Sequence, residues 1–145
     1  MSIEKYNIEN NNEEEPDNSV LNYLVEKNKT LINDYHTPDG NYSESCSLIA
    51  VDIAKILLNE GKKSEIVFIT GKNANESLGP KQYNGRVSWG GHVVCVCEGM
   101  IYDPMIGKPL LIEEYINEAF DSEIKMETIV TKNKIEEFVR RGQKH

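Results

Sequence analysis

Between Ser45 and Asn59 the sequence reads SCSLIAVDIAKILLN, with apolar or small side chains at Cys46, Ile49, Ala50, Ile53, Ala54 and Leu57. That i, i+3, i+4, i+7, i+8, i+11 series forms one continuous stripe and predicts a core-facing helix around which the remaining elements must pack. Cys46 falls in its first turn. Ser45 or Ser43 can supply the capping oxygen, and the unpaired amide N–H groups of the first turn, with the helix dipole, favour negative charge there. A cysteine so placed tends toward thiolate. Alone, it reads more readily as a small core hydrophobe. Its partners downstream decide the matter.

The chain has 145 residues, enough for one domain with a modest core. Its formal net charge of -8 argues against a nucleic-acid groove or an anionic membrane surface as the main partner, since both call for a concentrated basic face. The one basic concentration, Lys132, Lys134, Arg140, Arg141 and Lys144, is interrupted by Glu136 and Glu137 and reads as a solvated helix face. No apolar run is long enough to span a bilayer, and residues 1–16 lack the hydrophobic segment of a signal peptide. A cytoplasmic protein, or one delivered by a specialised secretion system, is therefore expected. Cys46, Cys95 and Cys97 cannot all pair, which fits thiols in a reducing compartment better than a disulfide framework.

Residues 1–16, MSIEKYNIENNNEEEP, are rich in Asn and Glu and predict a disordered acidic arm, leaving 17–145 as a single domain. Leu21, Leu24, Val25, Leu31, Ile32 and Tyr35 predict a first helix over 18–35, broken by His36-Thr37-Pro38-Asp39-Gly40. After the Cys46 helix, Gly61 is a natural C-cap and EIVFIT over 65–70 a buried strand. From Gly71 to Gly91 no periodicity is visible, and the Gly71 to Ser88 part of that stretch is a candidate lid. HVVCVC over 92–97, a tight Glu98-Gly99 turn and MIYD over 100–103 form a hairpin. A helix over 110–120, a strand over 126–131 and a terminal helix over 134–141 complete an α+β chain, with an antiparallel sheet packed on the Cys46 helix.

A two-residue turn at Glu98-Gly99 pairs Cys97 with Met100, Cys95 with Tyr102, Val94 with Asp103 and His92 with Met105. His92 and Asp103 then become diagonal neighbours on one sheet face, roughly 7 Å apart at the backbone. A slip of one residue would separate them. Cys46, His92 and Asp103 together supply a sulfur nucleophile, an imidazole that accepts and returns its proton, and a carboxylate that fixes the imidazole tautomer. The Cys46 backbone N–H is the first candidate oxyanion donor, and Asn41, Tyr42 or Gln82 can supply a second.

GNYSESCSLIAVDIAKILLNEGKKSEIV followed by WGGHVVCVCEGMIYDP resembles the core of the transglutaminase-like branch of the papain-like cysteine enzymes, over about Gly40 to Pro104. In that family a nucleophilic Cys opens a helix ending in a glycine turn and a strand, a His begins the next strand, and an Asp followed by Pro closes the hairpin. The resemblance implies a papain-like/transglutaminase-like fold with Cys46 as nucleophile, His92 as general base and acid, and Asp103 as orienting carboxylate. The expected activity is that of a cysteine-dependent amide hydrolase or acyltransferase, whether protease, glutamine deamidase or transglutaminase.

Trp89 and Gly91, beside His92, read either as the wall of a substrate channel that a peptide backbone approaches closely or as an aromatic core anchor with its neighbour. Cys95 and Cys97 face away from His92 and read as core filler, since a zinc site would need two further ligands on their face. A protein or peptide substrate, a monomer and no cofactor or metal are expected. The alternative from another class is a non-catalytic protein-binding module on the same scaffold; a small metal-binding regulator is a more distant one.

Overall fold

A computed structural model of the chain describes residues 19–35, 45–73, 76–84 and 88–142, excepting the side chains of 30–35 and 45. The expected N-terminal arm and the 36–40 breaker lie outside the described residues. The elements run α1 (Ser19–Tyr35), α2 (Ser45–Asn59), β1 (Glu65–Gly71), a 3-10 turn (Lys81–Tyr83), β2 (His92–Cys97), β3 (Met100–Tyr102), β4 (Leu110–Leu111), α3 (Ile112–Glu118), β5 (Ile124–Val130) and α4 (Lys132–Gly142). The strands form one antiparallel sheet in the order β4-β3-β2-β1-β5. The architecture is therefore α+β.

Helix α2 packs on the central strand β2, and both α1 and α4 pack against α2. Cys46, Ile49, Ala50, Ile53, Ala54 and Leu57, the stripe read from the sequence, are all buried. The helix ends in a Schellman motif: the Lys62 N–H donates to Leu57 O at 2.9 Å and the Gly61 N–H to Leu58 O at 2.9 Å. Gly61 takes the left-handed φ of 82° that this closure needs. Strand β2 is buried at all six positions, so Cys95 and Cys97 fill core space. Burial pushes the Cys95 thiol up to about 12 and the Cys97 thiol up as well.

The β2–β3 hairpin follows its turn chemistry. Glu98 and Gly99 have φ of 54° and 79°, the pair of positive values of a type I′ turn, whose twist matches the flanking strands. The register is Cys97↔Met100, Val96↔Ile101 and Cys95↔Tyr102, as the turn predicts. The ladder stops before Val94 and Asp103. There Asp103 closes a turn of its own, its carbonyl accepting the Ile106 N–H at 2.9 Å.

Four local expectations change. Helix α1 buries Val20 and Leu24, while Leu21 and Val25 are 39% and 42% exposed. The inward face is rotated because Asn28, eight positions after Val20, must reach the Pro104 carbonyl, to which its Nδ2 donates at 2.7 Å. The 110–120 segment begins as strand, since Leu110 and Leu111 complete the edge of β3 before α3 starts. Strand β5 starts earlier, at Ile124, because its partner β1 continues to Gly71. The described parts of 71–91 are tied to the body: Leu78 and Trp89 exchange two backbone hydrogen bonds of 2.8 Å, Lys81 N–H donates to Ala119 O, and Asp121 N–H donates to Gly79 O.

Candidate active site

Three elements deliver three side chains to one buried place. Cys46 is the second residue of α2, His92 the first of β2, and Asp103 the residue just past β3. All three are 0% exposed. His92 Nε2 lies 2.8 Å from Asp103 Oδ2, and because a carboxylate only accepts, Nε2 carries the donated proton. The Cys46 side chain also acts on the imidazole, through a hydrogen bond and through its charge.

Asp103 is held from several sides. Its Oδ1 accepts the Met105 N–H at 2.9 Å, and its Oδ2 accepts the Tyr115 hydroxyl at 2.5 Å in addition to His92. Burial would raise its pKa; the His92 charge and hydrogen bond, the Tyr115 hydroxyl and the Met105 amide outweigh that and hold the carboxyl below its ordinary range. For His92 burial pulls downward. The Asp103 charge and hydrogen bond, followed by those of Cys46, overcome it and raise the pKa from 6.5 to about 9. Both shifts favour the charged forms of the pair.

The surroundings are aromatic. Trp89 stacks on His92 with ring centroids 5.0 Å apart and planes 27° apart, and Phe120 meets His92 edge-on at 6.0 Å. The two rings are carried by the isolated bridges Leu78↔Trp89 and Pro80↔Phe120. Trp89 is thus a buried ring against the imidazole. Gly91 serves packing: a Cβ there would lie 2.6 Å from the Phe68 ring. Gln82 is exposed on the 3-10 turn with its side chain engaged with Tyr83. Asn41 and Tyr42 lie outside the described residues. A groove of about 580 Å³ opens beyond Phe120, among Lys72, Lys81, Ile116 and Ile124, and its lining includes none of Cys46, His92 and Asp103.

Tyr115 and Phe120 were not singled out from the sequence. Ile112, Tyr115 and Ala119 share the i, i+3, i+7 spacing of one helix face. A tyrosine on an inward face needs a partner for its hydroxyl, and that is the signal the sequence contained. Among the described residues no three His, Cys, Asp or Glu side chains are gathered as a metal ion would require. Cys46, His92 and Asp103 instead come together as a side-chain group in which His92 bonds Asp103 and is influenced by Cys46. No described helix is long and apolar enough to cross a membrane. Comparison with family models, curated proteins and solved structures finds no match for the chain.

Proposed function

We propose that this protein is a cysteine-dependent amide hydrolase or acyltransferase acting on a protein or peptide, on a papain-like/transglutaminase-like core. The observation that carries the reading is the burial together of Cys46, His92 and Asp103, in which the imidazole is held by a carboxylate through Nε2 and is acted on by the helix-start Cys46 side chain. Those are the parts of nucleophilic acyl transfer.

In the proposed reaction Cys46 gives its thiol proton to His92, and the sulfur attacks the carbonyl carbon of an amide, forming a C–S bond while the carbonyl π electrons move to oxygen. This reading assigns that oxyanion to the Cys46 backbone N–H, in the first turn of α2 where amide protons lack helical acceptors. Collapse breaks the C–N bond, and the leaving nitrogen takes the proton from His92. Water, or an amine, then gives a proton to His92 and attacks the thioester, expelling the Cys46 sulfur. Asp103 stays ionised throughout and keeps the ring in one tautomer. Protease, deamidase and transglutaminase differ only in the acyl donor and the final nucleophile. The net charge of -8 favours a basic protein as substrate.

The test is mass spectrometry of candidate substrate proteins after incubation with the wild type and with Cys46→Ala. Cleavage, deamidation or cross-linking by the wild type alone is the expected result. Complete burial of the three groups favours one second reading, a protein-binding module in which the cluster is structural. Alkylation by iodoacetamide separates the two: the catalytic reading requires Cys46 to react faster than Cys95 and Cys97, and to lose that advantage in His92→Ala. Equal, slow labelling of all three thiols would leave the binding module.

A further inference from the structure

We propose that Tyr115 is a positioning residue of this site, its hydroxyl fixing the Asp103 carboxylate and drawing off part of its charge so that His92 can release its proton. The inference rests on the acyl-transfer reading for its purpose. Its geometry stands apart from that reading.

Asp103 Oδ2 is shared. It accepts from His92 Nε2 at 2.8 Å and from the Tyr115 hydroxyl at 2.5 Å, the short separation of a charge-assisted O–H···O⁻ bond. Oδ1 is taken by the Met105 N–H at 2.9 Å. The carboxylate is thus pinned at both oxygens, by β2 and α3 on one and by its own turn on the other. Tyr115 is fully buried, and its ring meets Phe120 edge-on at 6.2 Å, the same Phe120 that contacts His92. The phenol is therefore anchored independently of the carboxylate that it holds.

The chemical consequence concerns proton transfer. A general acid works best when it holds its proton neither too loosely nor too tightly at the working pH. An isolated, buried carboxylate beside His92 would bind the imidazolium proton too well to let it leave with an amine. A second strong donor on the same oxygen weakens that hold. The titratable groups facing the pair are Cys46 from α2, Tyr115 from α3, and Tyr83 of the 3-10 turn, which senses the Asp103 charge. Of these only Tyr115 donates to Oδ2 beside His92.

Tyr115→Phe keeps the ring and removes the hydroxyl. Followed by NMR of the His92 ring on the full chain, the imidazole titration midpoint should move upward, since a carboxylate with one donor fewer holds the imidazolium more tightly. A tyrosine with a merely structural role would leave that midpoint in place. Fluorotyrosine incorporated into the otherwise unchanged chain makes the phenol a stronger donor and should move the midpoint downward, which keeps the proposal testable if Tyr115→Phe fails to fold. With a substrate in hand, Tyr115→Phe should lower kcat about ten- to a hundredfold with KM held. A midpoint that stays put in the folded variant, or that moves upward with fluorotyrosine, overturns the proposal even where Cys46-dependent activity is found. Shifts in the expected directions uphold the role of Tyr115 on the pair even if no acyl transfer is detected.

Discussion

Raising the pH from 6.5 to 8.5 should destabilise this fold by roughly 2 kcal/mol, because of one histidine. The native state raises the His92 pKa from 6.5 to about 9, so it holds the proton more tightly than the unfolded chain does. A group raised in this way contributes its full stabilisation below the unfolded value and loses it as pH climbs through the folded one. At about 1.4 kcal/mol per pH unit the whole loss is about 3 kcal/mol, and the steepest part falls between 6.5 and 8.5. Asp103 adds no slope there: its lowered pKa gives stability that is complete above the ordinary carboxylate range and is lost only in acid. The raised Cys95 and Cys97 thiols enter above that window, where the unfolded chain's thiols ionise. Guanidinium denaturation under reducing conditions, at several pH values across the window, measures the slope. His92→Gln, whose amide does not titrate, should flatten it. A wild-type stability that is level or rising from pH 6.5 to 8.5 would falsify the buried ion pair.

Three further outcomes test the scaffold. Gly61→Ala meets no atom within 4 Å, so only the positive φ opposes it, and denaturation should show a loss of about 1 kcal/mol. Ile53→Ala, at a fully buried position of α2, should cost about 2 to 5 kcal/mol. Leu48→Ala on the same helix, where the side chain is 69% exposed, should stay within about 0.5 kcal/mol of the wild type in the same assay.

What could be read from the chain alone follows how local the governing physics is. The α2 stripe and its glycine cap are set within one helix, and the sequence shows both. The β2–β3 register is set by the Glu98-Gly99 turn as far as Cys95 and Tyr102, and the last step to Asp103 is made outside the ladder, by the turn that Asp103 closes with Ile106. Strand β4 was hidden because Leu110 and Leu111 are strand only by virtue of the open edge of β3. The Leu78–Trp89 bridge was hidden for the same reason, since pairing across a long loop leaves no periodic trace. Tyr115 was missed because its role comes from a contact between α3 and the turn after β3, which no local pattern specifies.

The energetics of the site bear on why such a cluster is kept. Around His92 and Asp103 the core includes Trp89, Phe120, Tyr115 and Met105, all buried. In such surroundings an ion pair is a poor way to gain stability, because desolvating two charges costs several kcal/mol and apolar residues of similar volume often do as well or better. The fold offsets that cost with three donors on one carboxylate, drawn from β2, α3 and the turn at Met105. A core that needed only to be filled would not require so specific a set. The same low-dielectric surroundings strengthen every charge interaction made inside them, which is the condition under which a preorganised imidazole and a helix-start amide are most effective on a reacting carbonyl. That cost, set against that benefit, weighs toward acyl-transfer chemistry over a purely structural cluster.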